Sequence, residues 1–411
     1  MASIPISTRE GTKRILDEVD CLSSVSGGSF TAAYYALFGE QIFQDFPGKF
    51  LYRDVEGELF RKAFINPMNL ARMASPYFGR IDLAAEFYDD EVFDRKTFAD
   101  LLSLNRRPYL ILNATHLQTG QRFEFTQDQF DLLGSDVLTF PIGRAVAASS
   151  AFPFLLSPIS MWNHPYPPGY EIPQDIRNAL KDYYVNPRRY TWARARMTLA
   201  DKSGHPYVHL MDGGLADNLG LRAVADEYRR GFIRERVSGK IDRLVIIVVN
   251  SKNNPAEGLD QKESPPGLKD VAYKTATISM DNYTFETVEL MREMAEERVK
   301  ARNVLQVCQK AIEDRYPGKP PLPTLAGVQL EPYVIEVNFE AIEDEAERAC
   351  FLNLPTSFKL SSGQVDALIA VAGDLLDRSP RFQKLLSDLK VAPDSEKSTA
   401  QMARCTSLPH K

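Results

Sequence analysis

Residues 19–38 read VDCLSSVSGGSFTAAYYALF, and the pattern changes at one serine. Up to Val25 the residues suit an extended strand. Beyond Ser26, Phe30, Ala33, Tyr34, Leu37 and Phe38 recur at the spacing of one buried helix face, and Gly39 supplies a stop. A strand that turns so sharply into a helix crowds its turn residue, so small neighbours are expected; here they are Ser24, Gly27 and Gly28. The turn lifts the Ser26 hydroxyl off the sheet edge and aims the helix's free N–H groups at negative charge developing beside it. A serine nucleophile is presented in this way. The usual pattern is G-x-S-x-G, with Ser24 here in place of the first glycine. Taken alone, the five residues also fit a turn that merely packs a helix on a strand.

Residues 207–220, YVHLMDGGLADNLG, repeat the grammar. Tyr207 to Met211 read as a short strand, Asp212 stands at its end, and Gly213 and Gly214 make the turn. Leu221, Val224, Ala225 and Tyr228 mark the buried face of the next helix. Two strand ends can thus meet in one sheet, one offering a hydroxyl and the other a carboxylate that accepts its proton. The five histidines are His116, His164, His205, His209 and His410. An α/β-hydrolase triad runs Ser, acid, His, which leaves only His410 at the extreme end; the other orders need a histidine before Ser26, and there is none. A Ser26/Asp212 dyad fits better than a triad.

On these residues the chain resembles the patatin-like phospholipases, which use a Ser/Asp dyad on an α/β/α sheet. The elbow SVSGGS carries the family's nucleophile onto Ser26, and the DGG of MDGGLADN carries its general base onto Asp212. YLILNATHLQTGQRFEF at 109–125 is similar to the family's strand and hairpin, and AVAASSAFP at 145–153 to its small-residue helix end. The resemblance spans most of residues 17 to about 386. It implies a three-layer α/β/α sheet, lipid carboxylic esters as substrates, and room for peripheral membrane contact. It implies no metal and no organic cofactor.

One departure stands out. The family's oxyanion hole is a glycine-rich loop on a first strand, whereas residues 1–18 contain one glycine, Gly11. The fold is therefore expected to lack that strand and loop, through a start further upstream or through erosion. The N–H of Gly27 would remain as a donor. Losing an oxyanion donor costs on the order of 10²- to 10³-fold in rate. The alternative to a hydrolase is accordingly a weak or inactive relative that binds lipid or a partner.

Composition narrows the classes further. At 411 residues and 44% hydrophobic content the chain can bury a large core, and one domain over residues 1–386 with an elaborated C-terminal part is expected, then a disordered tail at 387–411. The net charge is −6 with dispersed Lys and Arg, which does not suggest nucleic acid. Cys21, Cys308, Cys350 and Cys405 are widely spaced, so neither zinc nor a disulfide framework is expected, and Cys21 reads as a small buried hydrophobe. No signal peptide and no membrane span is read in these residues. Localisation stays open, because a leader upstream of Met1 would leave no trace here.

The remaining segments give coarser expectations. Residues 40–98 form a helical, aromatic-rich excursion that either packs on the sheet or makes an acyl channel or lipid-facing cap above the nucleophile. Their Arg53, Arg61, Lys62 and Arg72 suit phosphate head groups or a solvated face. His116 lies just past a strand end and suits a structural role or a ligand contact. Residues 152–202 read as a long irregular loop, a lid in the making, with a basic patch at Arg188, Arg189, Arg194 and Arg196. Asp217 and Asn218 suit a helix cap. LVIIVV at 244–249 reads as a strand at the centre of a parallel sheet.

Overall fold

The structure, a computed structural model, describes residues 1–8, 10–75, 77–153, 155–230, 243–253, 263–317, 331–391 and 404–406. Its strands are β1 (Pro5–Thr8), β2 (Gly11–Arg14), β3 (Cys21–Ser24), β4 (Tyr109–His116), β5 (Gln121–Glu124), β6 (Ile159–Trp162), β7 (Tyr207–Asp212), β8 (Arg243–Asn250) and β9 (Glu331–Asn338). The helices begin with α1 (Gly27–Phe38), α2 (Val55–Phe64), α3 (Pro67–Met73), α4 (Arg80–Glu91), α5 (Phe98–Ser103) and α6 (Gln127–Leu132). They continue with α7 (Ile142–Ser149), α8 (Gln174–Ala179), α9 (Pro187–Ala200), α10 (Gly214–Asp217) and α11 (Leu221–Arg230). A long helix, Leu268–Arg315, and the helices Glu345–Leu352, Ser362–Arg378 and Pro380–Asp388 complete the chain.

A mixed sheet in the order β3-β4-β7-β6, with β5 folded back on β4, carries both motifs. β3 runs parallel to β4 with Ser24 opposite Leu112, and β7 runs antiparallel to it with Asp212 opposite Ala114. Both motif strands therefore end beside the middle of β4. Alternating side chains give β4 two faces. Leu110, Leu112 and Ala114 enter the main core with Phe30 and Ala33 of α1, Phe87 of α4 and Val146 of α7. On the other face Thr115 bonds the Asp212 carbonyl and the Ala216 N–H of α10, and Leu221 and Ala225 of α11 pack on Val288 and Met291 of the long helix. Helix, sheet and helix make the three layers expected from the sequence.

The first residues form a hairpin, β1 on β2, whose Ile6, with Ile15 just beyond it, packs on Tyr333, Ile335 and Phe382. Its strands pair with each other, and among the described residues β4 is the single strand neighbour of β3. No glycine-rich loop separates β2 from β3; a 3₁₀ turn, Ile15–Glu18, does.

Several expectations need correcting. LVIIVV is a strand, β8, but among the described residues it pairs only with β9, in a separate two-stranded parallel sheet. Ile246 and Val248 are buried, whereas on the other face Val249 is 66% exposed and Ile247 is only part-buried. An apolar run measures a preference for extended structure, not the number of strands beside it. The irregular loop at 152–202 contains β6, a strand of the main sheet, and the fourteen-residue helix α9, capped by Asn186 and opened by Pro187. Its basic patch is partly spent on internal pairs: Arg189 bonds Asp182, and Arg196 lies 3.7 Å from Glu124.

The cysteines also depart from expectation. Cys350 and Cys405 form a disulfide, and Cys21 is exposed. Widely spaced cysteines carry no local sign of pairing, because the fold alone brings them together. Of the expected tail, Ser387 and Asp388 finish a helix and Cys405 is tied to Cys350. Residues 392–403 and 407–411 lie outside the described residues.

Candidate active site

Ser26 sits between β3 and α1 with φ 49° and ψ −130°, a backbone region that a residue with a Cβ adopts at a cost of about 1–3 kcal/mol. The surroundings hold it there. Its N–H is shared by the carbonyl and the hydroxyl of Ser149, each at 3.1 Å. Its Oγ donates to Asp212 Oδ2 at 2.7 Å. The other carboxylate oxygen, Oδ1, accepts the Gly214 N–H at 2.7 Å. Asp212 is fully buried; burial pushes its carboxyl up to about 6, against the opposing pull of the Ser26 and Gly214 hydrogen bonds. No histidine is among the partners of either residue.

Backbone bonds fix Asp212 as firmly as Ser26. The Asp212 N–H donates to Ala151, the Gly213 N–H to Ser149, and the Asp212 carbonyl accepts from Thr115 Oγ1. Ser149 is therefore a hub that the sequence reading missed. Its hydroxyl donates to the Asn113 carbonyl at 2.6 Å and meets Ser29 Oγ at 2.8 Å, while its carbonyl receives both Ser26 and Gly213. Ser24, buried behind the turn, continues the chain with Oγ 3.2 Å from Ser29 Oγ. The one signal in the sequence was the run of small residues AVAASSA, which can approach two strand ends closely.

The glycines divide differently from the sequence argument. A Cβ at Gly27 or Gly28 would meet nothing within 4 Å, so the elbow does not need them small for packing. The space beside them is open, and the first N–H groups of any helix lack intrahelical acceptors, so these two can serve a ligand. The tight positions are in the second motif. A Cβ at Gly213 would fall 2.3 Å from the Asn113 carbonyl oxygen and 2.9 Å from Val25 Cγ1. At Gly214 it would fall 2.5 Å from Met280 Cε and 3.0 Å from Asp212 Oδ1.

The neighbouring candidates have structural partners. Asp217 caps α11, accepting the Arg222 N–H at 2.8 Å, and lies 3.8 Å from the buried guanidinium of Arg122. Asn218 does not cap; it ties the turn to Thr284 of the long helix. His116 ends β4 in a buried position 3.1 Å from Thr119 Oγ1, and burial with His205 and His209 nearby lowers it to about 4. Among the described residues no group of three or more His, Cys, Asp or Glu could hold a metal ion, and no helix is long and apolar enough to cross a membrane.

The arrangement is an acid-base pair at a strained helix N-terminus. Comparison with known proteins agrees with it at the level of family. The family model of the patatin-like phospholipases matches residues 7–225, more than half of the chain and the whole of both motifs. No curated protein matches the sequence. With both motifs on one three-layer fold and that match over its larger part, the chain belongs to the patatin-like phospholipase family, whose members are in general hydrolases acting on lipids.

Proposed function

We propose that the protein is a serine acyl hydrolase that cleaves carboxylic esters of lipids with Ser26 as nucleophile and Asp212 as general base. The observation that carries this reading is the 2.7 Å hydrogen bond from Ser26 Oγ to a buried carboxylate, at a backbone angle that only surrounding structure can maintain. Asp212 takes the hydroxyl proton as Oγ bonds to the ester carbonyl carbon. The carbonyl oxygen gains negative charge, and the N–H of Gly27 at the start of α1 stabilises it. Collapse breaks the ester C–O bond, and the proton on Asp212 passes to the departing alcohol. Water then attacks the acyl-serine, giving its proton to Asp212, and the fatty acid leaves with Ser26 reprotonated. The chemistry requires neither a metal nor an organic cofactor. Residues 1–386 act in this reading as one domain, with a lipid ester as substrate and the membrane as its source.

A second reading has its own support. β3 has no strand beside its second edge among the described residues, and no glycine-rich loop precedes it. Oxyanion donors then come from the start of α1 alone, which suits a weak hydrolase or a lipid-binding relative. Covalent labelling by a fluorophosphonate separates the two. Labelling of the wild type that Ser26→Ala and Asp212→Asn both abolish is the expected result. A folded wild type that takes no label and cleaves no ester would leave the binding protein.

A further inference from the structure

We propose that the α2–α3 hairpin is a membrane-docking surface that inserts into an anionic lipid interface. The inference rests on the reading of the substrate as a lipid and adds where the protein meets it. α3 is apolar in sequence, PMNLARM, yet none of its residues is buried. α2 buries Val55 and Ala63 and turns Phe60 and Phe64 outward, their rings 4.6 Å apart. Phe60 is 63% exposed and Tyr77, past α3, is 89% exposed; Ile65, Met68 and Leu70 lie exposed between them. Soluble surfaces seldom gather so many large apolar side chains at one tip.

Charge identifies the occupant. Residues 59–80, LFRKAFINPMNLARMASPYFGR, contain Arg61, Lys62, Arg72 and Arg80 and no Asp or Glu, in a chain of net charge −6. Arg72 is paired with Glu86, and Lys62 lies 4.0 Å from Glu91. Arg61 and Arg80 are exposed, and neither has an ion pair among the described residues. Nearby carboxylates are already engaged: Glu58 by Arg53, Asp82 by Arg144, Asp54 by Lys359. Aromatic and aliphatic side chains flanked by uncompensated cations suit an anionic bilayer interface. A second copy docked about a two-fold axis would instead set the same cations against each other.

The chain that follows the hairpin is tied down next to the site. At the start of α4, past the hairpin, Ser157 Oγ accepts the Ile81 N–H at 3.4 Å and lies against Gly79. Ser157 belongs to the segment that leaves Ala151, whose carbonyl holds the Asp212 N–H.

The test is co-sedimentation of the full chain with vesicles of phosphatidylcholine alone and of equal parts phosphatidylcholine and phosphatidylserine. Wild type should pellet with the mixed vesicles, and Phe60→Ser/Phe64→Ser should weaken this by at least about tenfold. Arg61→Glu/Arg80→Glu should weaken binding to the mixed vesicles and remove its salt dependence, while leaving binding to phosphatidylcholine unchanged. Wild type that stays in the supernatant, or either variant binding as wild type does, overturns the proposal. So does a wild-type dimer on size exclusion that Phe60→Ser/Phe64→Ser converts to a monomer. Fluorophosphonate labelling of every variant at the wild-type rate shows that the fold is retained. Absence of label in the wild type would instead remove the hydrolase reading, with the vesicle result standing on its own.

Discussion

Asp212 holds a proton more tightly in the folded chain than an ordinary aspartate does, because its carboxylate is fully buried. Two measurable effects follow. In its proposed role as base it must be ionised, so the rate of fluorophosphonate labelling should rise with pH and level off above about 6. The folded state binds this proton up to about pH 6, whereas the unfolded chain releases it near its ordinary value of 3.8. Ionisation of Asp212 therefore lowers stability as pH rises through that window, by on the order of 3 kcal/mol. Asp212→Asn, inactive, should melt higher than wild type at pH 8 and lose that advantage at pH 4, as read by thermal denaturation. Ser149 gives a different signature. Ser149→Ala removes the hydroxyl that meets Asn113, Ser26 and Ser29 but touches neither substrate nor Asp212, so kcat on a soluble ester should fall about tenfold with KM unchanged. The glycines sort by backbone clearance: Gly213→Ala should unfold or severely destabilise the chain, and Gly27→Ala should fold normally. Ser26 and Asp212 were legible in the sequence because each announces itself locally, by a switch from extended to helical pattern. Ser149 was not, because nothing in a run of small residues says that it lies against a turn 123 positions away.

Elements were legible where their periodicity was strong and their partners were adjacent in sequence. α1 followed from pattern, and β4 and β5 form the strand and hairpin that the resemblance implied at 109–125, with Gly120 at φ 65° in the turn between them. β8 and α9 show the limit. In β8 the pattern reports the strand but not its neighbours, and in α9 arginines and aromatics spaced around the helix leave no single apolar stripe to recognise. Apart from Ser26 and Asp212, side-chain links between elements left no mark in the sequence. Arg122 of β5 has a mostly buried side chain 2.7 Å from Glu124, 3.2 Å from Asp226 and 3.8 Å from Asp217. It thereby joins the hairpin strand to the end of α10 and to α11. Arg122→Ala removes the cation that Asp217 and Asp226 share and leaves Glu124 with Arg196, and chemical denaturation should show a loss of about 3–5 kcal/mol. Arg122→Lys, without the planar fork, should recover only part of it.

At the scale of the molecule, distant segments close on one another. The β1–β2 hairpin is sealed by Tyr333 and Phe382, and Phe358 reaches back to the ring of Phe30 in α1. The Cys350–Cys405 disulfide spans 55 positions, a loop whose closure is worth roughly 4 kcal/mol in the chain-entropy account. Cys350→Ser/Cys405→Ser should lower the melting temperature of the oxidised protein by several degrees, with labelling of Ser26 at 25 °C unchanged.

The Ser149 hub has a bearing on the order of assembly. Its hydroxyl and carbonyl gather residues 26, 29, 113 and 213 at one point, contacts that no local stretch of chain can make alone. Closing loops of that length costs entropy that only the finished sheet repays. Ser26 can therefore reach its strained angle only after β4, α7 and β7 have met. In the proposed mechanism a nascent chain carries an inert serine until about half of it has been made, and reactivity switches on with the last of these contacts. A molecule that takes the label would have β3, β4, α7 and β7 already assembled.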